Sequence, residues 1–142
     1  MMSPTMNTID LIVTDMEAAI AFYGRLDVHF KVDPQYPDHA DGDLANGMHL
    51  MLDTAGFRGS TTPGWTEPAG GPRTFLAFEF GAPADVDAKY AELTEAGYEG
   101  LREPWDAFWG MRYSSVLDAD GNGVDLYARL PEETVPCREE SR

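Results

Sequence analysis

Apolar and polar residues alternate near the start of the chain, and the apolar residues then recur at helical spacing. Ile9, Leu11 and Val13 occupy every second position, which is the period of a strand with one apolar face. The T-D-M-E sequence that follows has the spacing of a capping box, and the apolar positions beyond it predict a helix from about 15 to 26. The chain therefore opens with a predicted strand and helix.

The same order of patterns returns 67 residues later. Leu76, Phe78 and Phe80 alternate with other residues as a second strand, and an apolar stripe over 83–93 predicts a second helix that stops at Gly97. Each helix is followed by three short segments with strand character. These segments are 28–32, 43–45 and 48–53 in the first half, and 100–103, 112–117 and 124–128 in the second.

The repeat predicts two β-α-β-β-β modules in one α+β protein. The first module covers 7–53 and the second covers 74–130. A Gly/Pro-rich linker at 54–73 separates them, and a polar tail at 131–142 contains the only cysteine, Cys137. A single cysteine cannot form an internal disulfide.

Charge and composition narrow the classes of partner. The 142 residues carry 10 Lys+Arg against 25 Asp+Glu, a net charge of −15, and 43% are hydrophobic. Phosphate groups would be repelled, so neither nucleic acid nor a membrane surface is an expected partner. No apolar run approaches the ~18 residues of a membrane span, and no secretory leader is visible. We expect a cytoplasmic protein that binds a neutral or cationic small molecule.

Four motifs carry a resemblance to a known family. They are I-x-L-x-V-x-D at 9–15 before Phe-Tyr at 22–23, V-D-x-x-Y-x-x-L-x-x-x-G-Y at 86–98, W-G-x-R-Y at 109–113 and D-A-D-G-N at 118–122. Together they resemble the vicinal oxygen chelate superfamily of glyoxalase I, bleomycin-resistance proteins and extradiol dioxygenases. The resemblance implies that the two modules form a U-shaped, half-open sheet around a cavity, with the helices on the outer face.

The resemblance also implies where a divalent metal would bind. The family's ligands come from the first and last strands of each module, and those positions fall on Thr8, Met51, Phe75 and Asp125. Phenylalanine cannot ligate a metal, methionine suits soft ions, and threonine is a poor ligand. We therefore expect no metal and no other cofactor. A shifted alignment that brings in His49, with Asp10, Glu79 and Asp125, leaves a displaced metal site open as an alternative.

Aromatic residues cluster where the rim of such a cavity should lie. Trp105, Phe108 and Trp109 fall in a segment predicted as a loop, and the linker adds Phe57 and Trp65. Flat rings favour planar ligands by offset stacking, although the same rings could close the ends of the sheet as ordinary core.

The carboxylates on the inward positions would attract a cationic group on such a ligand. Asp10 and Glu79 could instead pair with Arg112 or Arg73, and pairing with an acid is the preferred role of Arg112. His29 and His39 are predicted at the surface. The full predicted ligand-binding set is Asp10, His49, Met51, Phe57, Trp65, Phe75, Glu79, Trp105, Phe108, Trp109, Arg112 and Asp125.

The preferred hypothesis is a metal-free homodimer that sequesters an aromatic or polycyclic small molecule, such as a natural-product antibiotic, without altering it. Like the metal-free resistance proteins of the family, it would have two equivalent sites at the dimer interface. The alternative is a metal-dependent lyase, isomerase or dioxygenase. A metal-independent enzyme with Asp125 or Glu79 as general base also stays open.

Overall fold

The structure, a computed structural model, describes residues 3–132 and divides into two compact units. Unit 1 runs to Arg73 and also takes in the turn Asp118–Asn122, whereas unit 2 comprises Thr74–Leu117 and the residues from Gly123 onwards. Cys137 and most of the predicted polar tail lie outside the described residues.

Unit 1 contains one four-stranded sheet, which we call sheet A, and two helices. Its strand order is β1-β4-β3-β2, with β1 parallel to β4 and the other pairs antiparallel. The elements are β1 Thr8–Val13, α1 Met16–Gly24, β2 Lys31–Val32, β3 His39–Asp43, β4 His49–Thr54 and α2 Ala55–Thr61.

Helix α1 begins where the sequence provides a cap and buries one face on sheet A. The Asp15 side chain accepts a hydrogen bond from the backbone N–H of Ala18 at 3.1 Å. Phe22 and Tyr23 are fully buried, as are Leu50 and Leu52 on the sheet. The core of unit 1 therefore lies between α1 and one face of sheet A.

Unit 2 repeats this connectivity. Its four-stranded sheet B has the order β5-β8-β7-β6, with β5 parallel to β8, and α3 packs against β6, β7 and β8. Val86 and Leu93 of α3 are buried, together with Val124 and Leu126 of the sheet. The elements are β5 Phe75–Glu79, α3 Pro83–Glu95, β6 Gly100–Ala107, β7 Met111–Leu117 and β8 Gly123–Arg129. We call the face of each sheet opposite α1 or α3 its open face.

The α+β class and the two β-α-β-β-β modules are confirmed. Three details of the predicted elements are wrong. The segment predicted as a linker contains α2, β6 extends through Trp105 to Ala107 rather than ending at Glu103, and β3 begins at His39. Among residues 3–132, no helix is both long and apolar enough to cross a membrane.

Candidate functional site

A row of four side chains crosses the open face of sheet B. Glu79 on β5 is the register partner of Tyr127 on β8. Tyr127 is in turn the partner of Tyr113 on β7, and Tyr113 is the partner of Trp105 on β6. Directly opposite side chains on neighbouring strands lie close enough to touch. The row therefore presents one carboxylate and three aromatic rings on a single face.

Ring contacts link the three aromatic residues of this row, with Trp109 between Trp105 and Tyr113. Tyr113 and Tyr127 stack with ring centroids 5.7 Å apart and an angle of 24° between the planes. Trp109 meets Tyr113 and Trp105 edge to face, each at 5.5 Å. We call Trp105, Trp109, Tyr113 and Tyr127 the aromatic strip. Such contacts are the preferred geometry of aromatic rings.

A tight turn between β6 and β7 places Trp109 in the strip. Gly110 has a φ of +90°, which residues other than glycine rarely adopt. Phe108, on the same turn, lies 4.8 Å from Trp109 and is 90% exposed. The structure thus brings Trp105, Phe108 and Trp109 together, but Trp105 lies on a strand and not in the predicted loop.

Arg102 covers the Trp105 end of the strip. Its guanidinium carbon lies 3.8 Å from the centroid of the Trp105 ring, which is the geometry of a cation–π contact. Arg102 was not among the predicted site residues.

Asp125 lies beside the strip with both carboxyl oxygens already engaged. The Tyr113 hydroxyl donates to Oδ2 at 2.9 Å and the Ser115 hydroxyl donates to Oδ1 at 2.6 Å. Burial and then the hydrogen bond to Asp125 raise the pKa of Tyr113 to about 12, so the phenol keeps its proton at neutral pH. Glu79, at the other end of the row, is held loosely, with Tyr127 Oη and Arg129 Nε each at 3.4 Å.

Phe75 covers the backbone of Gly123, its register partner. A methyl group built on Gly123 would lie 2.5 Å from Phe75 Cδ2, closer than real atoms approach. The space in front of β8 at this point is therefore filled by the aromatic ring.

The predicted site residues of unit 1 lie on or near sheet A. His49 and Met51 share the open face with Asp10, and His49 Nδ1 lies 2.5 Å from Asp43 Oδ1. Asp10 pairs with Arg58 of α2, and neither Arg112 nor Arg73 is its partner. Phe57 is a partly exposed residue of α2.

Trp65 follows α2, and its ring lies 3.8 Å from the position of a methyl group built on Gly59.

Arg112 does not join the aromatic strip. It pairs with Asp87 of α3 at 3.0 Å and with Asp106 at 3.1 Å, on the face of sheet B that carries the helix. Pairing with an acid was the preferred role, but its partners are neither Asp10 nor Glu79.

Sequence reasoning missed Tyr113, Ser115 and Tyr127. Each of them lies two positions along its strand from another residue on the open face of sheet B. The alternation of faces along β8, counted from Asp125, would therefore have identified Tyr127. His39, predicted at the surface in a loop, lies on β3 and bonds the buried Asp53 at 2.6 Å.

The residues at the family's metal-ligand positions do not fit a divalent metal. Phe75 and Met51 offer no hard donor, and the oxygens of Asp125 accept hydroxyl hydrogen bonds. Two members of the alternative set, His49 and Asp10, have Asp43 and Arg58 as partners. Within residues 3–132, no group of three or more His, Cys, Asp and Glu side chains is arranged to hold an ion.

A model of the Glyoxalase/Bleomycin resistance protein/Dioxygenase superfamily matches residues 5–126. The chain belongs to this superfamily. The resemblance in the four sequence motifs is thereby confirmed. No protein with a curated description matches the sequence significantly.

Solved structures are similar to most of the chain. A glyoxalase/bleomycin resistance protein/dioxygenase from Nocardioides is 26% identical, with a TM-score of 0.73, and the match covers 95% of this chain and 92% of that one. A family enzyme from Burkholderia phytofirmans PsJN is 16% identical, with a TM-score of 0.76 and coverage of 89% and 100%. TioX from Micromonospora sp. ML1 is 22% identical, with a TM-score of 0.60 and coverage of 89% and 100%. The last two matches bear on the fold alone.

Proposed function

We propose that this superfamily member binds a flat aromatic or polycyclic small molecule on the open face of sheet B and holds it without chemical change. The observation that carries the proposal is the unbroken series of ring contacts from Trp105 through Trp109 and Tyr113 to Tyr127. Large, rigid aromatic side chains bind planar molecules at low cost in conformational entropy. Aromatic side chains that stay partly open to solvent in such a series are typical of a binding surface.

The charges beside the strip favour a neutral or cationic ligand. Glu79 lies at one end of the row and pairs with the exposed Arg129 at 3.4 Å, and the chain carries a net charge of −15. A ligand that carries an amine or several hydroxyl groups could therefore donate to Glu79 while its rings contact Tyr127 and Tyr113. The net negative charge disfavours an anionic ligand at the Glu79 end of the strip, whereas the cation of Arg102 lies at the Trp105 end.

The side chains around the strip support binding over catalysis. Asp125 is engaged by two hydroxyls, and Tyr113 retains its proton at neutral pH. Neither group is therefore prepared to remove a proton from a ligand. The superfamily's description includes resistance to bleomycin, which makes an antibiotic our preferred ligand and sequestration our preferred role.

Binding is tested by titrating purified protein with aromatic polycyclic antibiotics and with the planar cation proflavine, using tryptophan fluorescence as the signal. We expect saturable quenching at one ligand per site, and mass spectrometry should recover every ligand unaltered. Recovery of a chemically changed ligand would refute sequestration and favour an enzyme.

Elemental analysis of protein prepared without a histidine tag tests the metal-dependent alternative. Because the ligand positions lack suitable donors, we expect substoichiometric divalent metal. One tightly bound ion per chain, lost in a His49→Ala variant, would favour the lyase, isomerase or dioxygenase alternative instead.

We further propose that the protein is a homodimer. Strands β5 and β6 are the edges of sheet B, and Leu101 on β6 is an exposed apolar residue. Exposed edges with apolar side chains are suited to association with a second copy. Light scattering during size-exclusion chromatography should give twice the 15.7 kDa of one chain, whereas a mass of one chain would contradict the proposal.

A further inference from the structure

Arg102, at the Trp105 end of the aromatic strip, differs from the arginines that pair with acids. It is exposed, and its guanidinium carbon lies 3.8 Å from the centroid of the Trp105 ring. By contrast, ion pairs with carboxylates hold Arg58, Arg112 and Arg129. No acidic side chain within residues 3–132 forms an ion pair with Arg102, so its charge is available at the surface of the strip.

Irregular pairing of β6 places Arg102 on the open face of sheet B. The register partner of Arg102 is Ser115 and that of Trp105 is Tyr113, so three steps along β6 match two steps along β7. In a regular strand, positions 102 and 105 would point to opposite faces because side chains alternate. The extra residue puts both on the face that carries the strip. Bulges of this kind commonly redirect a side chain beside a functional site.

The contact with Trp105 leaves the hydrogen-bonding edge of the guanidinium available. A guanidinium has five N–H donors in its plane, and the part of the chain that the structure describes offers Arg102 no acceptor for them. The ring beneath also limits the conformations of the side chain, so less entropy is lost when a ligand binds to it. The two parallel donors of such a fork match the two oxygens of a carboxylate.

We propose that Arg102 is a specificity-determining residue that binds a carboxylate at one end of the ligand through two N–H···O hydrogen bonds. The inference rests on the proposed binding of the ligand's rings by the aromatic strip. Arg102 then selects among planar molecules by the group at their end, whereas the strip accepts any flat ring.

The opposite end of the row defines the rest of the ligand. Glu79 lies on β5 and Trp105 on β6, and these two strands are three inter-strand spacings apart, or about 14 Å. The ligand class is therefore an elongated planar aromatic molecule with a carboxylate at one end and an amine at the other. Such a zwitterion is neutral overall, which suits a chain with a net charge of −15.

Calorimetric titration of the full-length protein with two matched probes tests the proposal. One probe is a biphenyl with an aminomethyl group at one para position and a carboxylate at the opposite one, and the other probe is its methyl ester. The negative charge of the chain favours the ester, which is a cation, so a preference for the acid requires a local cation. We expect the acid to bind about tenfold more tightly than the ester. Equal or tighter binding of the ester would overturn the proposal, and this comparison needs no variant.

Substitution of Arg102 locates the preference for the acid. In Arg102→Gln we expect the Kd of the acid to rise about tenfold, while that of the ester changes by less than about twofold. Arg102→Lys keeps the charge without the planar fork and should restore only part of the affinity. Equal losses for acid and ester in Arg102→Gln would mean that Arg102 only supports the Trp105 ring, and would overturn the proposal.

Lys31→Gln is the matched control for net charge. It removes one positive charge from an exposed position of β2 in sheet A. We expect the Kd of both probes to stay at the wild-type value. The same loss of acid binding in Lys31→Gln as in Arg102→Gln would overturn the assignment to Arg102.

Proflavine separates failure of this proposal from failure of the proposed function, because it is planar and cationic and has no carboxylate. Saturable binding of proflavine, together with no preference for the acid probe, would overturn the role of Arg102 and leave the proposed function standing. Absence of binding by proflavine and by both biphenyl probes would overturn both.

Discussion

The hydroxyl of Tyr23 donates a hydrogen bond to Asp118 Oδ2 at 2.7 Å, across 95 positions of the chain. Asp118 Oδ1 also accepts the backbone N–H groups of Asp120 and Asn122, each at 2.8 Å. Thr14 in turn donates its backbone N–H to Asp120 at 2.6 Å. The D-A-D-G-N turn that helped to identify the family is thus built around one buried carboxylate, and this contact explains why the turn groups with unit 1.

Removing the Tyr23 hydroxyl should destabilise the protein. In Tyr23→Phe the Asp118 carboxylate loses a buried donor, and we expect the free energy of unfolding to fall by about 1–3 kcal/mol. Burial and the charge of Asp118 hold the pKa of Tyr23 well above its usual range, so the effect should be the same at pH 7 and pH 9. Urea denaturation measures both values. Tyr36→Phe, at an exposed tyrosine, is the control and should change stability by less than about 0.5 kcal/mol.

Gly123 and Phe75 should behave as an energetically coupled pair. The methyl group in Gly123→Ala would collide with the Phe75 ring, so we expect a loss of about 1–3 kcal/mol in unfolding free energy. In the Phe75→Ala background the same substitution should be nearly neutral, which gives a coupling energy of about 1 kcal/mol or more. Gly24→Ala, where the methyl group meets no atom within 4 Å, is the control for the glycine change. Additive effects of the two substitutions would contradict the contact.

Binding of a planar probe should depend on Trp105. Truncation in Trp105→Ala removes the ring between Arg102 and Trp109, and we expect the Kd for proflavine to rise by about 10- to 30-fold. Fluorescence of the dye itself gives the measurement, so the lost tryptophan does not disturb the signal. Tyr36→Ala removes an exposed aromatic residue of unit 1 and should leave the Kd unchanged. An unchanged Kd in Trp105→Ala would locate the dye elsewhere.

The free energy of unfolding should fall as the pH rises from about 4 to about 6. In this window the native state keeps a proton on Asp10, whose pKa is about 6, while the unfolded chain has released it. Protonation therefore stabilises the native state by an amount on the order of 2 kcal/mol, which is lost once the pH passes 6. His39 adds to the same trend above pH 6.5, because its raised pKa means that its contribution is lost as the ring deprotonates.

The difference between wild type and Asp10→Asn isolates the Asp10 part of this pH dependence. Thermal or urea denaturation from pH 4 to pH 8 should show wild type losing stability relative to the variant across the lower half of that range. A constant difference at all pH values would mean that Asp10 titrates normally.

The regular elements could be predicted because their apolar periods are strong and local. The alternation at Ile9, Leu11 and Val13 correctly predicted β1 and which of its faces is buried. The T-D-M-E signal predicted the start of α1 to within one residue, although the cap is Asp15 and not the Thr14 that a capping box implies. The parallel registers also confirm the internal repeat, since Met51 pairs with Asp10 as Asp125 pairs with Ala77.

Elements that depend on distant partners were missed. Helix α2 contains Gly56 and Gly59, so its intrinsic helix propensity is low. Its Arg58 bonds Asp10 of β1, which lies 48 positions earlier in the chain. Trp105 was predicted in a loop because Pro104 interrupts the pattern. Proline is tolerated there since β6 is an edge strand whose pairing is irregular between Arg102 and Trp105.

The candidate site was only partly predictable for a similar reason. The clustering of two tryptophans and a phenylalanine within five residues pointed to Trp105 and Trp109, but the tyrosines that complete the strip lie on strands where aromatic residues are common. Their role depends on which strands are neighbours. The order β5-β8-β7-β6 brings together residues from 79 to 127, and no local pattern specifies that order.

The contact between Phe75 and Gly123 also restricts the order in which these two positions can change during evolution. A side chain at 123 is accommodated only after the ring at 75 has been replaced by something smaller, whereas a smaller residue at 75 is compatible with glycine from the start. A descendant of this chain that acquired a side chain at position 123 would therefore have to replace Phe75 first. Phe75 therefore fixes the order in which substitutions at these two positions of sheet B can occur.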